Sequence, residues 1–129
     1  MKSDLTEDQI KALLMVAAKH RPAAAAPYSE LVDKAANPAA TVQELAGLKE
    51  QAKALLLTAG DTRHRDAATL LYHLAVAAAF VRHGAAISGR PIYKQLKVYE
   101  DFAAVWEEHP IGQLFLEAAR RAVGTNTPE

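Results

Sequence analysis

Five histidines are the side chains of this 129-residue chain best suited to acid–base or metal chemistry. A metal site in a helical bundle needs Glu-x-x-His pairs or histidines four residues apart, and neither spacing occurs among His20, His64, His73, His83 and His109. We therefore expect no metal, no cofactor and no catalytic histidine. His73 alone lies inside a long apolar segment, which favours a hydrogen-bonded core histidine.

A covalent nucleophile is also hard to find. The chain has no cysteine, which excludes thiolate chemistry and disulfides. Serines are few, and no glycine-rich turn resembles a nucleophile elbow. The sequence thus predicts a protein that is not an enzyme. An enzyme with a polar pocket around His73 is the alternative.

Charges near Pro91 have an order along the chain that opposes the dipole of the predicted helix. Arg90, Lys94 and Lys97 fall at the start of a predicted helix, and Glu100 and Asp101 follow. Cations near a helix N-terminus oppose the helix dipole and each cost about 0.3 to 1 kcal/mol when exposed. Such conflicts between a local rule and a sequence concentrate at functional sites.

Alanine is abundant, β-branched and aromatic residues are few, and apolar residues recur every three or four positions, which predicts helix throughout. We expect an all-α fold, a compact antiparallel bundle of five to six helices, with residues 1–124 as one domain and 125–129 as a flexible tail. The helices are predicted after Thr6, over Tyr28 to Ala36, from Thr41 to Ala59, from Asp61 or Thr62 to about His83, from Pro91, and from Ile111 to Gly124.

The segment Ala67 to Val81 is apolar on nearly every side, so its helix should lie at the centre of the bundle. It is too short and too polar to span a bilayer of about 30 Å. The first residues lack the apolar stretch of a signal peptide. We therefore expect a cytoplasmic protein without a membrane partner.

Short connections make consecutive helices antiparallel, which should bring basic residues from three helices to one end of the bundle. We call this set the basic pole. It consists of Arg82, His83, Arg90, Lys94, Lys97, Arg120 and Arg121. Such a cluster could meet nucleic-acid phosphates or an acidic protein surface, or it could be an ordinary solvated surface. Fifteen Lys and Arg balance fifteen Asp and Glu, so any attraction must be local.

The chain length, the all-helical pattern and the basic segment RPIYKQLK resemble the small α-helical subunit of CRISPR effector complexes. The resemblance implies several copies that line an RNA-guided complex and contact displaced DNA or the guide RNA backbone, without chemistry. Partners would then be other subunits, copies of the chain itself, and a nucleic-acid backbone. The alternative is a protein-only binding module, such as an immunity, antitoxin or scaffold bundle, that docks an acidic protein surface.

Overall fold

The computed structural model describes residues 28–88, 96–106 and 110–126. In these ranges the regular secondary structure is α-helical and contains no strand, which confirms the predicted all-α fold. The helix predicted after Thr6 lies outside the described residues. The described helices are α1 (Ser29–Ala36), α2 (Val42–Thr58), α3 (Thr62–His83), α4 (Leu96–Val105) and α5 (Pro110–Asn126).

Helix α2 begins with the capping box that the sequence predicts. The Thr41 hydroxyl accepts a hydrogen bond from the Glu44 amide at 3.1 Å, and the Glu44 carboxylate accepts one from the Thr41 amide at 2.8 Å. Two amides that the helix itself leaves without partners are thereby satisfied. Leu45, Leu48 and Ala52 then form the buried side of α2.

Helix α3 has a defined cap at each end. The Asp61 carboxylate accepts a hydrogen bond from the His64 amide at 2.9 Å, so Asp61 is the N-cap of the two predicted candidates. Gly84 ends the helix with φ +65°, a left-handed conformation that glycine adopts without steric penalty. This turn lets the Ala85 amide donate to the Ala79 carbonyl at 3.1 Å.

Helix α3 is the central helix, as predicted. Every residue from 66 to 79 is buried, and the helix packs against α1, α2 and α5. Most of these residues are alanine or leucine, so neighbouring helices can approach on several sides. Within the described residues no helix is both long and apolar enough to cross a membrane.

Helices α4 and α5 form an antiparallel pair around stacked aromatic rings. Phe115 of α5 stacks on Tyr99 at 5.5 Å and on Phe102 at 4.8 Å between ring centroids. Where α4 ends and α5 begins, Gly112 lies directly against the main chain of Trp106.

The helix start predicted at Pro91 falls outside the described residues. Helix α5 continues past the predicted boundary, through Gly124 to Asn126.

Candidate functional site

The C-terminal ends of α1, α3 and α5 meet at the end of the bundle where the basic pole was predicted. Arg82, near the end of α3, contacts the end of α1, and Arg121 of α5 contacts Val81 of α3. Helix C-termini carry main-chain carbonyls without helical partners and a partial negative charge. Cations are therefore stabilised at this end.

Arg82 holds the last carbonyls of α1. Its Nη1 donates to the carbonyl oxygens of Asn37 at 2.9 Å and Ala35 at 3.4 Å, and its Nη2 donates to that of Ala36 at 2.9 Å. Its partial burial lowers the pKa of the guanidinium. An arginine has the planar set of donors that this contact requires, so Arg82 fixes α1 on the central helix.

His83 makes a similar contact one residue later. Its Nε2 lies 2.8 Å from the Ala40 carbonyl oxygen. Because a carbonyl oxygen only accepts, Nε2 carries the hydrogen in this contact. Hydrogen bonds from Arg82 and His83 therefore hold the linker between α1 and α2 against the end of α3.

Arg121 and Arg120 share one carboxylate. Arg121 donates through Nη1 to the Val81 carbonyl at 2.6 Å and through Nε to Glu117 at 3.0 Å. Arg120 lies 3.8 Å from the same carboxylate, and its side chain is 68% exposed. Arg121 thus caps α3 from a neighbouring helix, whereas Arg120 is directed mainly to solvent.

Lys97 is the most exposed cation of the described part of the pole. Its side chain is 84% exposed and lies 3.0 Å from Asp101, one helical turn further along α4. The hydrogen bond to Asp101 and the charge of that carboxylate raise the pKa of Lys97. The ion pair with Asp101 therefore stabilises a lysine at the start of α4, where the helix dipole disfavours a cation. Arg90 and Lys94 lie outside the described residues.

His73 is a core residue, in agreement with the sequence interpretation. It is 1% exposed, and its Nδ1 lies 3.1 Å from the Tyr99 hydroxyl. The rings of Tyr72, Tyr99 and Phe102 pack around the imidazole, with centroids 5.2 to 5.8 Å away.

A buried carboxylate that the sequence did not predict lies beside the apolar segment of α3. Asp66 is 4% exposed, and its Oδ2 has no hydrogen-bond partner among the described residues. Burial raises the pKa of this carboxyl, which the positive charge of Arg65 partly opposes. Asp66 lies seven residues before His73, and this spacing places the two residues on one helix face. This seven-residue spacing from His73 was the sign in the sequence that Asp66 would be buried.

A second surface feature is a groove of about 540 Å³ between the end of α1 and the outer face of α2. We call it the α1–α2 groove. Lys34, Glu44 and Gly47 line it, and the nearly buried Ala40 and Leu48 lie at its base. No Glu, Asp or His cluster of metal-binding size occurs in the described parts of the chain.

Comparison with protein-family models, with characterised proteins and with solved structures finds no match to this chain.

Proposed function

We propose that this chain is a non-enzymatic subunit of a larger assembly and that its basic pole contacts a nucleic-acid backbone. The main support for the proposal is that two arginines of the pole form hydrogen bonds within the protein. Arg82 and Arg121 donate to main-chain carbonyls at helix ends, so their positions are fixed before any partner arrives. This preorganisation fixes the shape of the surface that surrounds the exposed cations Lys97 and Arg120.

The contacts with carbonyls hold these arginines but leave their charge in place. Carboxylates pair with only part of the pole, so the described residues there have an excess of positive charge. The cations are Arg82, Lys97, Arg120 and Arg121, and the carboxylates that act on them are Glu100, Asp101 and Glu117. A local excess of this kind attracts a polyanion even though the whole chain is neutral.

Phosphate is the anion that suits this group best. Arginine side chains match phosphate oxygens through two parallel N–H donors, and lysine adds a mobile point charge. Lys97 and Arg120 are the exposed members, and they come from two helices that pack together. They would make the direct contacts, while Arg82 and Arg121 shape the surface. This role agrees with what the resemblance to the CRISPR small subunit implies.

The test compares single-stranded DNA binding by the wild type and by a Lys97→Glu, Arg120→Glu double variant. We expect the wild type to bind a fluorescent oligonucleotide at low salt, with an affinity that falls as salt rises. Each phosphate contact contributes about 0.7 to the slope of log K against log salt for a single strand. Loss of two contacts should therefore reduce that slope by about 1.4 and weaken binding at least tenfold.

A matched control makes the same change in charge away from the pole. Lys53→Glu with Arg65→Glu replaces one residue of α2 and one at the opposite end of α3. The control should bind almost as the wild type does, and circular dichroism should show equal helicity in all three proteins. Absence of wild-type binding at low salt would contradict the proposal. An acidic protein captured through Lys97 and Arg120 would instead support the protein-only module.

A further inference from the structure

His83 is the member of the basic pole whose charge can change near neutral pH. Histidine is the side chain that ordinarily gains or loses a proton between about pH 5 and 8. The other members of the pole are arginines and lysines, which stay positively charged over that range. His83 lies at the end of α3 and is exposed, so a proton from solvent can reach its ring.

The contact with Ala40 determines which ring nitrogen takes up the proton. Nε2 donates to the Ala40 carbonyl oxygen at 2.8 Å, so the neutral ring carries its hydrogen on Nε2 and leaves Nδ1 as an acceptor. No second hydrogen bond of His83 occurs within the described residues. The protonated ring keeps the hydrogen on Nε2 and therefore keeps the bond to Ala40. Protonation thus changes the charge of the pole without breaking the contact that holds the ring.

The added charge meets no neutralising carboxylate. The charged groups on the elements packed at this end of the bundle are Arg82 of α3, Arg121 and Glu117 of α5, and Lys34 and Glu44 beside Ala40. Glu44 accepts a hydrogen bond from the Thr41 amide, and Glu117 pairs with the two arginines of α5. Neither carboxylate forms a salt bridge with His83 in the described part of the chain. The partial negative charge at the end of α3 stabilises the protonated ring against the nearby arginines.

His83 lies beside the surface proposed to bind a nucleic-acid backbone. Arg121 donates to the carbonyl of Val81, two residues before His83, so this turn of α5 lies against the end of α3. Arg120, an exposed cation of the pole, belongs to the same turn. A flexible strand that contacts Arg120 can therefore extend across the end of α3 to His83.

We propose that protonation of His83 on Nδ1 tightens the binding of the basic pole to a phosphate backbone, so that this binding depends on pH. The proposal rests on the proposed function, because it concerns regulation of the same surface. At about pH 8 the ring is neutral, and Lys97 and Arg120 make the direct contacts. At about pH 5 the ring adds one positive charge, and the hydrogen on Nδ1 can be donated to a phosphate oxygen.

Binding of a fluorescent single-stranded oligonucleotide at about pH 8 and about pH 5, at equal ionic strength, tests the proposal. The wild type should bind about fivefold more tightly at the lower pH, which corresponds to one unit charge about 4 Å from a phosphate in water. The slope of log K against log salt should also increase in magnitude by about 0.7, the value for one further contact with a single strand.

Two substitutions at position 83 separate charge from structure. His83→Gln keeps a donor for the Ala40 carbonyl but cannot gain a proton, so its affinity should be nearly the same at both pH values. His83→Arg carries a permanent charge and should bind at about pH 8 as tightly as the wild type binds at about pH 5.

His64→Gln and Asp66→Asn are the matched controls. His64 lies near the other end of α3, with its Nδ1 3.0 Å from the Tyr28 hydroxyl, and Asp66 is the carboxyl whose pKa burial raises. Both variants should keep the pH dependence of the wild type. Circular dichroism at each pH should show equal helicity in every protein.

Failure of this proposal can be distinguished from failure of the proposed function. A wild type that binds at neither pH contradicts the proposed function, and the role of His83 falls with it. A wild type that binds equally at both pH values, or a helical His83→Gln protein that keeps the full pH dependence, would overturn the role of His83 and leave nucleic-acid binding intact. Loss of the pH dependence in His64→Gln or Asp66→Asn instead would overturn it as well.

Discussion

Replacing Gly112 by alanine should destabilise the fold, although alanine is the better helix former. A Cβ on Gly112 would overlap the carbonyl oxygen of Trp106 and lie 2.5 Å from its carbonyl carbon. These are main-chain atoms, so no side-chain rotation relieves the clash. Overpacking of this kind costs about 1 to 3 kcal/mol, and the gain in helix propensity returns at most about 1 kcal/mol. Because the clash is with main-chain atoms, the cost should lie in the upper part of that range, and the net loss should be about 1 to 2 kcal/mol.

A loss of that size lowers the melting temperature by roughly 4 to 8 °C for a chain of this length. Urea titration followed by circular dichroism measures the free energy of unfolding directly, and an unchanged m-value shows that the two states are the same. Gly47→Ala is the matched control. A Cβ at position 47 meets nothing within 4 Å, so this variant should gain up to about 1 kcal/mol.

The essential result is the sign of each variant's change in the free energy of unfolding. If Gly112→Ala is as stable as the wild type while Gly47→Ala behaves as expected, the close approach of α5 to Trp106 is not present in solution. The packing described for the α4–α5 pair would then be wrong.

Three further changes follow from the contacts described above. Arg82→Met should lower the free energy of unfolding by about 2 kcal/mol, because charge-assisted hydrogen bonds to the end of α1 are lost. Arg120→Met should stay within about 0.5 kcal/mol of the wild type. Equal melting curves for the two variants would contradict this difference. Tyr99→Phe should cost about 1 kcal/mol through the lost hydrogen bond to His73, and a neutral result in urea titration would count against that bond. Burial raises the pKa of Asp66 in the folded state, so this group makes stability fall as pH rises from the usual aspartate value to the raised one. Asp66→Asn should therefore gain stability over the wild type as pH increases through that window, and a difference that does not change with pH would contradict the assignment.

The ends of the helices could be predicted because their signals are local. Thr41 and Glu44 cap the same helix turn that they belong to, and Asp61 caps an amide three residues away. Gly84 ends α3 through its own backbone conformation. The central position of α3 was equally predictable, since an apolar segment without a polar face has to be covered by neighbours.

The roles within the basic pole could not be predicted, because they depend on contacts between distant parts of the chain. Antiparallel packing predicted that the ends of α3 and α5 would lie together, and the Arg121 contact with Val81 confirms it. The sequence contains no sign that Arg82 meets carbonyls more than forty residues earlier. Partner binding by this pole remains a prediction.

The Arg82 contact makes α1 a reporter of events at the pole. Helix α1 has eight residues, which is too short to be stable as an isolated helix in water, and its last carbonyls depend on one guanidinium. A ligand that drew Arg82 away would release α1, and its amides would exchange with solvent faster. A ligand that bound Lys97 and Arg120 and left Arg82 in place would keep those amides protected. Hydrogen exchange in α1 would thus distinguish, without any mutation, how deeply a partner enters the pole.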